Sequence, residues 1–147
     1  MKLGFIGLGI MGAPMAGHLR AAGHDLFAAS RSKVPQPLLD AGAVACADAA
    51  EVARKADIVF TMVPDTPDVE AVLFGQNGVA AGLSKGKTVV DMSSVSPIET
   101  KVFATRINAL GCDYLDAPVS GGEVGARAAS LTIMVGGPEA AFERVRP

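Results

Sequence analysis

The sequence predicts an α/β fold, a doubly wound and mostly parallel sheet with helices on both faces. Three observations carry that prediction. Short apolar runs alternate with longer segments bearing helix signals. Several runs are apolar on consecutive positions, as strands covered on both faces must be. Finally, "GLGIMG" at residues 7–12 places three glycines between the first apolar run and the first helix-like segment. A sharp strand-to-helix turn needs residues without side chains at such a point.

The elements follow in order. "LGFI" (3–6) is the first strand, and "MGAPMAGHL" (11–19) continues as a helix with Met11, Met15, Leu19 and Ala22 on one stripe. "LFAA" (26–29) is the second strand. Asp48 followed by Glu51 reads as an N-cap with a reciprocating residue three positions on, which opens a helix. "IVFTMV" (58–63) is the next strand, and Thr66-Pro67 reads as an N-cap followed by proline at the first helical position. "TVVDM" (88–92) leads to Ser96-Pro97-Ile98-Glu99, which combines a capping box with an N1 proline. "DYLDA" (113–117) and "LTIMV" (131–135) are the last strand-like runs. "GPEAAFERVRP" (137–147) opens a helix with Gly137 as cap and Pro138 at N1. That helix stops within about three turns, which reads as a cut rather than a finish.

Composition bounds the function. The 147 residues are enough for one domain, 1–147, and 50% hydrophobic residues with 19% charged describe a folded core. A net charge of −2 without a run of Lys or Arg argues against a nucleic-acid surface or an anionic-membrane patch. Cys46 and Cys112 lie far apart in apolar contexts with no CxxC spacing or His cluster, so they read as reduced, buried thiols rather than metal ligands. The N-terminus lacks a signal-peptide layout, and no stretch approaches the ~20 apolar residues needed to span a bilayer. The expectation is a soluble, cytoplasmic protein.

The glycine loop then takes on a chemical meaning. With a strand before it and a helix after it, GxGxxG is the layout of a Rossmann-like dinucleotide site. Gly7 makes the turn, Gly9 lets the backbone approach a pyrophosphate, and Gly12 lets helix and strand pack closely. Leu8, Ile10 and Met11 complete the cofactor-binding loop, and the helix N-terminus offers free N–H groups to the phosphates. After the second strand, an NAD-selective site places an acid on the ribose hydroxyls. Here stand Ser30, Arg31, Ser32 and Lys33, which suit a ribose 2′-phosphate through charge-assisted hydrogen bonds. NADP(H) is favoured; NAD(H) stays open if Arg31 only stacks on the adenine.

Four segments in order, "GFIGLGIMGAPMAGHL", "MVPDTPDVEAVLFGQNGV", "DMSSVSPIETK" and "DYLDAPVSGGEVGARAASLTIMVGG", resemble the β-hydroxyacid dehydrogenase family. The likeness runs from Met1 to Pro147 and is strongest to members that reduce tartronate semialdehyde to glycerate. Members acting on 3-hydroxyisobutyrate, glyoxylate or succinic semialdehyde share the first and third motifs. The resemblance implies that Met62, Val63, Pro64 and Asp65 wall the cofactor near the nicotinamide-side ribose, and that Ser94 bonds near the nicotinamide. Capping of the following helix is the alternative role for Ser94. It further implies a substrate clamp in "PVSGG", where the Ser120 hydroxyl and the amides of Gly121 and Gly122 accept a carboxylate.

Two positions depart from the family pattern. His18 stands where the family has Asn, and its place near the buried stripe reads as a hydrogen-bonded core histidine. Ala129 stands where Gly is favoured. The family's catalytic lysine, carried on a second, all-α domain, has no counterpart. Lys2, Lys33, Lys55, Lys85, Lys87 and Lys101 all lie in segments unlike that motif. The expectation is therefore the cofactor domain of a protein about twice as long, which forms a homo-oligomer through its other domain; alone, this chain turns over nothing. A non-catalytic dinucleotide sensor is the alternative of another class.

Overall fold

The computed structural model describes residues 2–8, 12–29, 34, 36–63, 66–93, 97–117, 119–120 and 132–133. Six strands form one sheet: β1 (Lys2–Ile6), β2 (Asp25–Ala29), β3 (Val44–Ala45), β4 (Ile58–Thr61), β5 (Thr88–Asp91) and β6 (Asp113–Asp116). Their order is β3-β2-β1-β4-β5-β6, and every neighbouring pair is parallel. The chain thus winds outward from β1 in one direction, returns, and winds outward from β4 in the other. The boundary between β1 and β4 is the point at which the order reverses, where the carboxyl ends of the strands leave a crevice.

Side-chain alternation explains why consecutive positions are apolar. Leu3, Phe5, Ile58, Val90 and Leu115 face one core together with Met15 and Ala16 of α1 (Gly12–Ala21) and Leu38 of α2 (Gln36–Asp40). Ile6, Val59, Val89 and Tyr114 face the other. There they meet Val52 and Ala53 of α3 (Ala49–Lys55), Val69 and Leu73 of α4 (Thr66–Phe74), Val79 of α5 (Val79–Gly82) and Phe103 and Ile107 of α6 (Pro97–Asn108). Successive residues of one strand serve opposite faces, so each run must be apolar throughout.

The helix signals hold with adjustments. Asp48 is the N-cap of α3, and its carboxylate accepts the Glu51 N–H at 2.8 Å. Glu51 Oε1 also lies 3.5 Å from Lys55 Nζ, one turn on. The helix α4 includes Thr66 itself, one residue earlier than a Thr66 cap implies, so Pro67 is its second residue. Proline is still tolerated there, because N–H groups of the first turn have no intrahelical acceptor. The helix α6 begins at Pro97 as expected, while Ser96 and the 137–147 segment lie outside the described residues.

Three readings are corrected. Within the run 131–135, the described pair Thr132–Ile133 forms β8, which lies outside the parallel sheet and pairs antiparallel with β7 (Val119–Ser120) in a separate two-stranded unit. An isolated apolar run carries no information about which partner its backbone will find. His18 is exposed rather than in the core, and Ala22 is exposed beyond the end of α1. Met15, Ala16 and Leu19 hold the packed stripe, and position 18 lies roughly a third of a turn from its centre. Cys112 is buried, but Cys46 is only half-buried; both are free thiols, and burial pushes both thiol pKa values up.

Candidate dinucleotide site

At the crevice, β1 ends at Ile6 and the chain turns at Gly7, whose φ of +96° is in the left-handed region that favours glycine. A Cβ on Gly7 would collide with the Met62 carbonyl, and a Cβ on Gly12 would collide with the Gly7 carbonyl. These two absences of a side chain let the first turn of α1 sit directly on the end of β1, beside the end of β4. The Gly7 N–H donates to the Ala29 carbonyl at 3.3 Å, so β2 also ends next to the loop. Leu8 turns its side chain into the core with Phe5 and Met15. Any contact it makes with a ligand is therefore through its backbone.

The loop after β4 is tied to both neighbours. Met62 N–H donates to the Ile6 carbonyl at 2.9 Å, and Met92 N–H donates to the Thr61 carbonyl at 2.8 Å. Met62 and Val63 are half-buried and pack toward opposite cores. The Val63 N–H donates to Ser93 Oγ at 2.9 Å, bridging the loops after β4 and β5.

Beneath that bridge lies Asp91, fully buried at the end of β5. Its Oδ1 accepts the Thr61 hydroxyl at 2.9 Å and the Ser93 N–H at 3.1 Å, and its Oδ2 accepts the Tyr114 hydroxyl at 3.1 Å. Burial pushes the Asp91 carboxyl up from the ordinary carboxylate range, while hydrogen bonds from Ser93, Thr61 and Tyr114 hold it down against that push. Burial and the nearby Asp91 charge push Asp116 up as well, and the same two causes raise the Tyr114 hydroxyl.

Of the residues proposed from sequence, the structure brings Gly7, Leu8, Gly12, Met62 and Val63 to one edge of the sheet. Ser120 is placed by its backbone in β7, where it pairs with Thr132. Gly9, Ile10, Met11, Ser30, Arg31, Lys33, Pro64, Asp65, Ser94, Gly121 and Gly122 lie outside the described residues. Sequence reasoning missed the Asp91, Ser93, Thr61 and Tyr114 network. The available signal was Asp91 itself, a charged residue inside a run that pattern placed in a doubly covered strand. A buried charge in such a strand requires hydrogen-bond partners from neighbouring segments.

What this edge can do chemically follows from its construction. A helix begins against a glycine turn, with Gly12 packed on the Gly7 carbonyl and Gly7 on the Met62 carbonyl. That arrangement accepts an extended anionic group such as a pyrophosphate. The carboxyl ends of β4 and β5 form the adjoining wall.

Comparison with known proteins agrees with this reading. The family profile described as the NAD binding domain of 6-phosphogluconate dehydrogenase matches residues 2–147. The 2-hydroxy-3-oxopropionate reductase of Escherichia coli K12 is 63% identical over 147 residues, covering 100% of this chain and 50% of that protein. A solved Mycobacterium tuberculosis 3-hydroxyisobutyrate dehydrogenase with L-serine superposes with a TM-score of 0.91 at 34% identity, covering 100% of this chain and 50% of that one. Another, Psf3 in complex with NADP+ and 2-OPP, gives a TM-score of 0.92 at 32% identity, covering 99% of this chain and 52% of that one. The chain spans about half the length of the curated relatives it matches. The Rossmann-like fold and the β-hydroxyacid dehydrogenase resemblance both hold. With its glycine turn at the switch point and a family match over nearly every residue, this chain belongs to the family of the NAD binding domain of 6-phosphogluconate dehydrogenase.

Proposed function

We propose that this chain is the cofactor-binding part of an NAD(P)-dependent reductase that converts tartronate semialdehyde (2-hydroxy-3-oxopropanoate) to glycerate. The observation that carries the proposal is 63% identity along the whole chain to a 2-hydroxy-3-oxopropionate reductase. The residues present fit a dinucleotide, because Gly7 against the Met62 carbonyl and Gly12 against the Gly7 carbonyl seat the first turn of α1 on the end of β1, where its free N–H groups can meet phosphates. When bound, the dinucleotide supplies the hydride.

The remaining steps belong to protein groups. The loop at residues 7–12 grips the pyrophosphate, and Ser30, Arg31 and Lys33 hold the ribose 2′-phosphate. The cofactor favoured is therefore NADP(H), with NAD(H) the alternative. Met62, Val63, Pro64, Asp65 and Ser94 wall the nicotinamide end. Ser120, Gly121 and Gly122 hold the substrate carboxylate, which orients the aldehyde carbon toward that wall. The developing alkoxide needs a proton donor. In this proposal the donor is a lysine of an all-helical domain outside these 147 residues, and that domain also builds the oligomer.

The experiment is a turnover assay. A protein carrying this chain joined to that helical domain should oxidise NADPH with tartronate semialdehyde, while the 147-residue chain alone should not. Turnover by the 147-residue chain alone would overturn the assignment of the proton donor. The likeness to the 3-hydroxyisobutyrate dehydrogenase favours one second reading, in which 3-hydroxyisobutyrate is the substrate. Running tartronate semialdehyde with NADPH and, in parallel, 3-hydroxyisobutyrate with NADP+ separates the two.

A further inference from the structure

Among the described residues, the loops after β4 and β5 are joined by a bond from Val63 N–H to Ser93 Oγ at 2.9 Å. Ser93 is fully buried, so its orientation depends on what holds it from below. Asp91 does so twice: Oδ1 accepts the Ser93 N–H at 3.1 Å, and the carboxylate also accepts the Ser93 hydroxyl. With its proton directed at Asp91, Ser93 Oγ presents a lone pair to Val63 N–H. Thr61, the last residue of β4, donates to the same Oδ1 at 2.9 Å. Asp91 therefore fixes both the end of β4 and the serine that receives the loop beyond it.

A neutral apolar residue would fill this position in a doubly covered strand at lower desolvation cost. Its neighbours in β5, Val89 and Val90, are of that kind. The carboxylate instead sits where two loops at the edge of the crevice must be aligned. We infer that Asp91 is a positioning residue for the dinucleotide site, acting through Ser93 to hold the Val63 backbone against the loop after β5.

This inference rests on the reading of the crevice as a dinucleotide site, and its test has two independent arms. In the first, amide hydrogen exchange is followed in the free chain. Asp91→Ala and Ser93→Ala should speed exchange at Val63 selectively, leaving the amides of β1 protected. The conservative Asp91→Asn should preserve protection, because its amide oxygen still accepts from Ser93 and Thr61 while its NH2 donates to the Tyr114 oxygen. In the second arm, NADPH binding is titrated. Asp91→Ala and Ser93→Ala should weaken it about ten-fold, and the double variant should be no worse than Ser93→Ala alone. Asp91→Asn should stay within about two-fold of wild type, the rescue expected when the hydrogen-bond pattern is kept.

Tyr114→Phe is the control, because Tyr114 meets the other carboxylate oxygen and touches neither loop contact. It should lower the Tm yet leave NADPH affinity unchanged. Should Asp91→Ala fail to fold, Ser93→Ala together with Asp91→Asn carries the decision, since Ser93→Ala removes the bridge and the hydroxyl contact to Asp91 while Asp91→Asn keeps both. Unchanged Val63 exchange in Ser93→Ala, or equal loss of affinity in Tyr114→Phe, would overturn the inference. A folded wild-type chain that binds neither NADPH nor NADH would overturn the dinucleotide reading instead, and the exchange arm would still judge Asp91.

Discussion

A carboxyl group that solvent does not reach must be met by donors or carry a proton, and Asp91 is met by three residues. Its pKa and that of Asp116 both lie above their ordinary range, chiefly through burial. The native state therefore holds these protons more readily than the unfolded chain does. Where the native form binds more protons, stability falls as pH rises. The contribution of these two groups is fully present below their unfolded value, near pH 4, and is lost as pH rises through their native values. Urea unfolding measured between about pH 4 and 7 should show a shallower fall in stability for Asp91→Asn than for wild type. A slope unchanged by that substitution would mean that Asp91 titrates alike in both states. The residue was visible in the sequence as the one charge in "TVVDM", but its partners were not. Thr61, Ser93 and Tyr114 come from three different segments, and only the parallel pairing of β4, β5 and β6 brings them together.

At the scale of elements, the unit that matters most is β1, the glycine turn and α1. Gly12 opens the helix against the Gly7 carbonyl, an approach a methyl group would prevent. Gly12→Ala should displace α1, lowering unfolding free energy by about 1–3 kcal/mol and weakening NADPH binding more than ten-fold. A denaturant midpoint shifted at constant m-value checks the first effect, and a titration checks the second. Wild-type affinity in a folded Gly12→Ala variant would show that close approach is unnecessary. This unit was legible because glycine spacing has a local cause, and so was the Asp48 cap, whose bond to Glu51 N–H spans three residues. The edge strand β3 was not legible. Val44 and Ala45 are exposed, pair with β2 alone among the described strands and carry no hydrophobic pattern. The β7–β8 pair escaped for a related reason, since two-residue strands are specified by distant pairing rather than by periodicity.

Over the whole molecule, the strand order β3-β2-β1-β4-β5-β6 makes the sequence pattern and the site parts of one design. Consecutive apolar runs demand cover on both faces, and right-handed crossovers supply it. The reversal between β1 and β4 then puts the glycine turn and the Met62–Val63 loop side by side, although they are far apart in the chain. Alternation of elements made the fold class legible from sequence. The substrate clamp at Ser120, Gly121 and Gly122 was read through resemblance, since a serine and two glycines after a strand have no intrinsic pattern that names a carboxylate.

The central claim, that this chain carries a dinucleotide site at the β1–α1 turn, is tested most directly by titrating NADPH and NADH into the folded 147-residue chain by calorimetry. Saturable one-to-one binding is expected, tighter for NADPH, and strengthened when a tartronate-like carboxylate is present. A folded chain that binds neither nucleotide would contradict it.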